Sequence, residues 1–250
     1  MKVVIQCGGR GTRLRPYTTI LPKPLMPVGS KPVLELLLKW LRRNGAQEVY
    51  VTTGYLGHLI RTVCGDGRQW DMRIRYTEEQ EPLGTVGPLS LLRDELDSTF
   101  LVINGDVLTD LNLKAFAACH KRLESIVTVA TTTRSLKLDF GLIEDQAEQI
   151  AEFREKPILS HLVSMGIYCM EPAVLEHIPS GVPFGFDSLA LCLLEKGIPV
   201  STFRHHGMWL DIGRVEDFQK AQELDWDGQS PAYEVVAAAS RVSAHFNSHN

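Results

Sequence analysis

Hydrophobic and polar positions follow two different periods along the first part of the chain. Residues 1–6 are short, apolar and β-branched, a pattern that predicts a buried strand. Residues 31–43 carry apolar side chains on one face and charged ones on the other, which predicts an amphipathic helix ending at Asn44-Gly45. The same reasoning predicts strands over residues 48–53, 72–76 and 99–103 and a helix over residues 55–64. This alternation at short spacing predicts an α/β fold with a Rossmann-like, doubly wound sheet, mixed and mostly parallel, with helices on both faces.

The pattern beyond residue 110 is less regular. It predicts helices over 113–122, 186–196 and 215–224, strands over 126–131 and 163–168, a hairpin from residue 139, and two paired strands over 200–204 and 208–211. From Trp226 onward only a short apolar stretch over 235–239 stands out, and no hexapeptide repeat is present. We therefore expect one domain over residues 1–225, with halves of about 1–110 and 111–225, followed by a C-terminal tail over 226–250.

Composition and charge exclude several classes of function. The 250 residues are 44% hydrophobic, enough for a sizeable core, and the net charge of −4 argues against a general nucleic-acid binder. No apolar run approaches membrane-spanning length, and the N-terminus enters a strand directly without a signal peptide, so we expect no membrane partner. Five scattered cysteines without CxxC spacing predict a reduced, cytoplasmic protein without structural zinc.

The glycine loop, defined as residues 8–13 (Gly-Gly-Arg-Gly-Thr-Arg), follows the first predicted strand. Glycines after a strand let backbone N–H groups close around phosphate oxygens. The first 34 residues contain no acid and six bases, at Lys2, Arg10, Arg13, Arg15, Lys23 and Lys31. A cationic glycine loop in an acidic protein predicts a polyanionic ligand, most simply a nucleoside triphosphate (NTP).

Two other phosphate-binding patterns do not fit this loop. A Walker A loop needs Gly-Lys-Ser/Thr, and the dinucleotide pattern needs a small residue where Leu14 stands. A tight strand-to-helix turn is the alternative without a ligand. Pro22 and Pro24 favour the functional interpretation, because they hold Lys23 on a stiff, non-helical segment that aims its ammonium.

Two aspartates follow predicted strands about a hundred residues apart. Asp106 comes after Asn104-Gly105, and Asp211 ends the apolar run 208–211. Mg²⁺ takes one or two carboxylates and fills its other positions with phosphate oxygens and water. If both strands end at the edge of the sheet that carries the glycine loop, Asp106 and Asp211 can share one Mg²⁺. A simple turn at Gly105-Asp106 is the alternative.

The combined motifs closely resemble the signature of the sugar-1-phosphate nucleotidyltransferases, the nucleotide-sugar pyrophosphorylases. The resemblance rests on residues 8–16, on Pro-Lys-Pro-Leu-Met-Pro-Val over 22–28 and on Lys31-Pro32, and later motifs extend it to about residue 225. Single-domain members similar to mannose-1-phosphate guanylyltransferases are the nearest match. The resemblance implies the reaction NTP + sugar 1-phosphate → NDP-sugar + pyrophosphate, with Mg²⁺ as cofactor and a homo-oligomer as a possible assembly.

The family assigns roles to residues at matching positions. The nucleotide-binding set implied is Gln6, Cys7, Gly8, Gly9, Gly11, Thr12, Arg13, Lys23, Glu79, Gly84, Thr85 and Asp106. The sugar-binding set is Gly141, Glu155, Lys156 and Gly166. Catalysis is expected from Arg13 on the β- and γ-phosphates, Lys23 on the α-phosphate, Lys156 on the sugar phosphate, and Asp106 and Asp211 on the metal.

Some of these residues have a plainer interpretation. Cys7 is expected to pack as a small apolar side chain, since the reaction needs no thiolate. Glu155-Lys156 is also compatible with an exposed, ion-paired strand end. Ser164 stands where many family members carry Asn, so sugar recognition differs in detail.

Glu79 offers an argument about the base. Similar thymidylyltransferases carry Gln here, whose amide both donates to and accepts from thymine. A carboxylate only accepts, which suits the adjacent N1–H and N2–H₂ donors of guanine and favours GTP over dTTP. Mannose 1-phosphate is the favoured sugar, with a heptose 1-phosphate or glucose 1-phosphate as alternatives.

Two rivals of another kind stay open. A non-catalytic paralogue that senses nucleotide sugars would keep the fold, but it usually loses the signature Arg or Lys, and Arg13 and Lys23 are both present. A glycosyltransferase would need a metal-binding Asp-x-Asp after a strand, and Asn104-Gly105-Asp106 is not one.

Overall fold

A central sheet with helices on its two faces organises the chain. The structure is a computed structural model that describes residues 1–224 and Trp226. The strands are β1 (Lys2–Cys7), β2 (Pro27–Val28), β3 (Lys31–Pro32), β4 (Glu48–Thr53), β5 (Arg73–Glu78), β6 (Phe100–Asn104), β7 (Val107–Thr109), β8 (Val127–Lys137), β9 (Leu142–Gln146), β10 (Gln149–Arg154), β11 (Ile158–Met170), β12 (Val200–Arg204) and β13 (Trp209–Asp211). The α-helices are α1 (Val33–Arg43), α2 (Gly57–Cys64), α3 (Leu113–Leu123), α4 (Phe186–Glu195) and α5 (Val215–Glu223).

Within the described residues the main sheet has seven strands in the order β12-β8-β11-β6-β1-β4-β5. All are parallel except β11, which runs antiparallel to both of its neighbours. β1 lies between β4 and β6, with Ile5 in register with Val51 on one side and Ile103 on the other. The expected mixed, mostly parallel sheet is therefore confirmed.

Alternation along each strand divides the core between the two faces of the sheet. Val3 and Ile5 of β1 belong to one buried cluster, while Val4 belongs to the other. The first cluster includes the apolar stripes of α1, α2 and α3. The second is covered by α4 and by the 3₁₀ helices Gly87–Leu92 and Pro172–His177. Such strands are buried on both faces, which is why they consist of nearly continuous apolar residues.

The prediction that residues 200–204 and 208–211 pair with each other is wrong. β12 instead pairs in parallel with β8 at the edge of the main sheet, and β13 pairs antiparallel with β7. β7 follows β6 after the Gly105-Asp106 turn and has left the main sheet, so its backbone needs another strand as a partner. β13 supplies that partner, and this pairing brings two segments a hundred residues apart to the same edge.

Several element boundaries differ from the predictions for local reasons. The helix expected from residue 31 begins at Val33, because Lys31 and Pro32 form a short ladder with β2. Lys23 lies at the start of one 3₁₀ turn, Lys23–Leu25, rather than on a non-helical segment, although Pro22 before it is extended.

The predicted hairpin is confirmed as an arm that extends from the sheet. β8 and β11 continue together beyond the core, and β9 and β10 form an antiparallel hairpin between them. Every residue of β10 is exposed.

Trp226 packs beside α5 against a third buried cluster, and its indole N–H donates to the carbonyl of Ala221 at 2.6 Å. The rest of the predicted tail lies outside the described residues. In the part of the chain that the structure describes, no helix is both long enough and apolar enough to cross a membrane.

Candidate active site

A cavity of about 370 Å³ opens at the carboxyl ends of β1, β4 and β6. Ligands of doubly wound sheets bind at this edge. Its lining consists of Gln6, Gly8, Gly9, Gly11, Thr12, Arg13, Lys23, Pro24, Thr52, Glu79, Pro82, Gly84, Thr85, Asn104, Asp106 and Gly213. All the residues expected to bind the nucleotide therefore line one cavity, except Cys7.

The glycine loop has the backbone conformation that its sequence requires. Gly11 has φ +61, in the left-handed region, and a Cβ there would lie 2.9 Å from Cγ2 of Thr18. The Thr18 hydroxyl donates to the Gly11 carbonyl at 2.8 Å and holds this conformation. A 3₁₀ turn, Thr12–Leu14, follows, and its buried Leu14 anchors the segment that carries Arg13. No atom lies within 4 Å of a Cβ built on Gly9, so the backbone there is open to the cavity.

Lys23 lies between the two predicted metal ligands. Its ammonium forms an ion pair with Asp106 and lies 3.5 Å from Oδ1 of Asp211. Only 14% of the side chain is exposed. Burial lowers the pKa of Lys23 and the neighbouring Arg13 charge lowers it further, while Asp211 opposes both effects.

The β7–β13 pair explains how Asp106 and Asp211 meet. The backbone N–H of Ile212 donates to the Asp106 carbonyl at 2.9 Å, and Asp211 Oδ1 accepts from the Gly213 N–H at 2.8 Å. Because both carboxylates reach one ammonium, both can reach one cation in its place. The donor set fits Mg²⁺, which needs only one or two carboxylates beside phosphate oxygens. Consistent with this small set, no cluster of three or more His, Cys, Asp or Glu suited to a metal occurs among the described residues.

Glu79 lies at the other end of the cavity. Its backbone N–H continues the sheet by donating to the Thr53 carbonyl at 2.8 Å. Oε2 accepts from the Leu83 N–H at 2.8 Å, and Oε1 lies directly against Gly8, where a Cβ would collide with it. Burial raises the pKa of Glu79, and the Leu83 hydrogen bond partly offsets that shift.

The segment Gly84-Thr85-Val86-Gly87 is fixed against the start of α4. The N–H groups of Val86 and Gly87 both donate to the Phe184 carbonyl at 3.0 Å. Thr85 Oγ1 accepts from the Phe186 N–H at 2.8 Å. The segment leads into a 3₁₀ helix that begins at Gly87. This wall of the cavity is therefore held by residues a hundred positions away.

The predicted sugar-binding residues are divided between two places. Gly166, with φ +70, packs against Asn104, so closely that a Cβ would lie 2.5 Å from the Asn104 Nδ2. It therefore adjoins the cavity. Gly141, Glu155 and Lys156 lie at the hairpin and do not line the cavity; the Lys156 side chain is 56% exposed, 3.9 Å from Glu155.

The sequence comparisons agree with this geometry. The sequence model of the family described as nucleotidyl transferase matches residues 2–227. The chain belongs to this family. The nucleotidyl transferase family model thus covers both predicted halves and every strand and helix of the described structure.

Curated relatives of the chain carry several activities in their names. A UTP--glucose-1-phosphate uridylyltransferase from Synechocystis is 34% identical over 88% of this chain and 62% of its own length. A mannose-1-phosphate guanyltransferase from Aspergillus oryzae is 32% identical over 87% of this chain and 62% of its own length. The chain thus spans somewhat less than two thirds of these relatives.

A solved structure matches the fold along almost its entire length. HddC from Yersinia pseudotuberculosis, complexed with GMP-PN, superposes with a TM-score of 0.70 and 26% identity, covering 89% of this chain and 98% of the other.

Several residues that line the cavity were not identified from the sequence. Thr52 and Asn104 are the register partners of Gln6 on the two neighbouring strands, so all three lie on one face of the sheet. The sequence does indicate their role, because each is a polar residue within or at the end of an apolar strand, near the edge of the sheet where ligands bind. Gly213 lies two residues after Asp211 in the same short motif, whereas the Asp217–Arg134 pair had no comparable local signal.

The support behind Asp211 is an ion pair between a buried aspartate and a partly exposed arginine. Asp217 of α5 has no exposed surface, and its Oδ2 accepts from Arg134 of β8 and from the Asp211 N–H at 3.1 Å. The Arg134 guanidinium also lies 4.7 Å from the centre of the Trp209 ring. These contacts hold the backbone of β13, and with it Asp211, in place.

Cys7 is the one predicted nucleotide-binding residue that does not line the cavity. It is buried in the first core cluster, and burial raises the pKa of its thiol well above the usual range. A Cβ on Gly105 would lie 2.6 Å from its sulfur. Cys7 therefore packs as a small apolar residue, in agreement with the plainer interpretation of the sequence.

Proposed function

We propose that this nucleotidyl transferase makes an NDP-sugar and pyrophosphate from an NTP and a sugar 1-phosphate. One observation carries the proposal: Lys23, Arg13 and the glycine loop share a cavity with Asp106, and Lys23 joins Asp106 to Asp211. Phosphate-binding cations and metal-binding acids at one place suit phosphoryl-group chemistry.

The reaction needs positioning more than covalent chemistry. An oxygen of the sugar phosphate attacks the α-phosphorus of the NTP, a new P–O bond forms, and the bond from that phosphorus to the bridging oxygen breaks to release pyrophosphate. We assign Arg13 to the β- and γ-phosphates and Lys23 to the α-phosphate. The backbone around Gly9 and Gly11 would receive phosphate oxygens.

Asp106 and Asp211 would hold Mg²⁺. When bound, the ion supplies positive charge beside the α-phosphate as negative charge develops there. In the same proposal Lys23 exchanges its two carboxylate partners for phosphate oxygens, so the buried ammonium stays paired throughout.

The sugar phosphate would approach from the hairpin arm. Asn104 lines the cavity on that side, and Gly166 packs against it. Lys156 is the proposed partner of the sugar phosphate and Glu155 of the sugar hydroxyls. Both side chains are exposed, so they are free to turn toward a bound substrate.

GTP is the favoured NTP, and mannose 1-phosphate the favoured sugar. The half-buried Glu79 carboxylate only accepts hydrogen bonds, which suits guanine. The relatives named mannose-1-phosphate guanyltransferase and the GMP-PN complex of HddC support this choice. The relative named for UTP and glucose 1-phosphate supports the glucose alternative, and a heptose 1-phosphate is a third.

The decisive experiment is a matrix of GTP, ATP, UTP, CTP and dTTP against mannose, glucose and heptose 1-phosphates, with released pyrophosphate as the readout. We expect release only when Mg²⁺ and a sugar 1-phosphate are both present, and fastest with GTP. Preference for dTTP would show that the Glu79 argument is wrong. Nucleotide-sugar binding without pyrophosphate release from any pair would instead favour the sensing paralogue.

Substitution of the two acids tests the metal assignment. Asp106→Asn and Asp211→Asn are each expected to lose most turnover while the protein stays folded. Asp94→Asn, at an exposed position, serves as the matched control. Wild-type turnover in folded Asp106 or Asp211 variants would contradict the assignment.

We further propose that the protein works in the cytoplasm. All five cysteines are free, three of them buried, which suits a reducing compartment. The homo-oligomer stays a prediction of the family resemblance.

A further inference from the structure

Unpaired polar atoms are concentrated on the floor of the cavity. Three of the four buried side-chain nitrogen and oxygen atoms without a partner in the described residues are Nε2 and Oε1 of Gln6 and Oγ1 of Thr52. Gln6 and Thr52 are register partners on β1 and β4, and both line the cavity. Thr52 is completely buried.

Such atoms are unusual in a native protein. Buried polar groups nearly always have a hydrogen-bond partner, and each one that does not have a partner destabilises the fold. A leucine at position 6 and a valine at position 52 would fill nearly the same space without that penalty. Polar side chains at this place therefore indicate a ligand that satisfies them.

The neutral character of these groups favours the base over the phosphates, and so does the position of Thr52, whose neighbour Thr53 accepts from the Glu79 N–H at 2.8 Å. Gly8, two residues after Gln6, lies against the Glu79 carboxylate at one end of the cavity. Lys23 and Asp106 form the charged end. An amide and a hydroxyl are neutral and offer both donors and acceptors, as the edge of a nucleobase does, whereas phosphates attract cations.

We propose that the Gln6 amide and the Thr52 hydroxyl read the nucleotide base together with Glu79. Glu79 accepts from the N1–H and N2–H₂ donors of guanine. Gln6 Nε2 donates to a ring acceptor, Gln6 Oε1 accepts from the remaining amino hydrogen, and the Thr52 hydroxyl donates to a second acceptor of the base. This inference rests on the proposed nucleotide function and adds two specificity-determining side chains to it.

The test compares Gln6→Leu, Thr52→Val and wild type by calorimetric titration with GTP and ATP and by thermal unfolding without nucleotide. We expect Gln6→Leu to raise the Kd for GTP about tenfold, which corresponds to about 1.4 kcal/mol, and to reduce the GTP:ATP preference. Thr52→Val should act in the same direction by a smaller factor. Without nucleotide, the Tm of both variants should equal or exceed that of wild type, because unpaired atoms have been removed.

Gln149→Leu is the matched control, since this glutamine is exposed on the hairpin. The inference is overturned if Gln6→Leu leaves GTP binding unchanged, weakens GTP and ATP equally, or lowers the Tm without nucleotide while binding persists. These outcomes leave the proposed function intact. Absence of nucleotide binding by the wild-type protein would instead reject the proposed function itself.

Discussion

At the scale of single residues, Lys23 has the most constrained environment in the site. Its ammonium is almost entirely buried and is paired with Asp106 and Asp211, two acids that would repel each other without it. Burial, and to a smaller extent the Arg13 charge, lower the pKa of Lys23, and Asp211 opposes that shift. A buried charge of this kind is stable only while its partners are present. Lys23 therefore neutralises the proposed metal site in the absence of metal.

Replacement of Lys23 should uncover that site. In Lys23→Met the two carboxylates lose their counter-ion, so we expect Mn²⁺ to bind at least about tenfold more tightly than in wild type when no nucleotide is present. Turnover should fall, because the α-phosphate loses its cation. Electron paramagnetic resonance of free Mn²⁺ measures the binding. Lys114→Met, at an exposed position, is the control, and equal Mn²⁺ affinity in Lys23→Met and wild type would contradict the prediction.

Glu79 gives a prediction about base choice. Glu79→Gln keeps an oxygen for the Leu83 N–H but replaces an acceptor by a donor, so one charge-assisted bond to guanine is lost. With such bonds contributing about 1.5–3 kcal/mol, the Kd for GTP should rise roughly tenfold to a hundredfold, while dTTP binding improves.

The same carboxylate predicts a pH dependence. As the pH falls, the Glu79 carboxylate gains a proton and the affinity of the wild-type protein for GTP should decrease. Because burial raises the pKa of Glu79, this decrease should begin at a higher pH than it would with an exposed glutamate. Titrations from pH 5 to 8 compare wild type with Glu79→Gln. A pH profile shared by the two proteins would assign the effect to another group.

At the scale of elements, the cavity is built from loops that depend on distant partners. Gly84, with φ +79, lies so close to the Phe184 backbone that a Cβ would be 2.8 Å from its carbonyl oxygen. Periodicity alone predicted the strands and helices here, but it carried no information on which segment covers the loop. The wrong pairing of β12 with β13 has the same origin, since sequence neighbours were assumed to be spatial neighbours.

Gly84→Ala separates backbone strain from loop docking. A left-handed alanine costs about 1 kcal/mol wherever it occurs, and at Gly84 its methyl group also collides with Phe184. We expect lower stability together with a raised KM for GTP. Gly45→Ala is the matched control, because φ is +84 and no atom lies within 4 Å of the added Cβ. Gly45→Ala should lower the stability and leave the KM for GTP unchanged. An equal rise of the KM in both variants would show that the contact between Gly84 and Phe184 is unimportant for GTP binding.

At the scale of the whole molecule, β8, β13 and α5 are joined behind the site. The Arg134–Asp217 pair connects β8 with α5, and Asp217 also accepts from the backbone of Asp211. β8 must therefore pack against β13 and α5, which follow it by more than seventy residues, before the second metal ligand is in place.

Arg134→Met tests this connection. It leaves the Asp217 charge buried without its partner, so the free energy of unfolding should fall by about 3 kcal/mol. Arg134→Met/Asp217→Asn removes both charges and keeps a side-chain oxygen that can accept from the Asp211 N–H, so it should restore part of the loss. Denaturant unfolding measures both variants. A double variant no more stable than the single one would exclude an unpaired charge as the cause.

The sequence by itself determined the elements of this protein and the chemistry available to it. Strand and helix periods depend on neighbouring residues, and glycine and proline limit the backbone locally, so the sheet and the residues of the glycine loop were predictable. Only the tertiary structure decided that β13 pairs with β7, that Lys23 lies between Asp106 and Asp211, that Asp217 meets Arg134, and that Gln6 and Thr52 have no partner. These features depend on residues far apart in the chain, and they arise only when all the elements pack together.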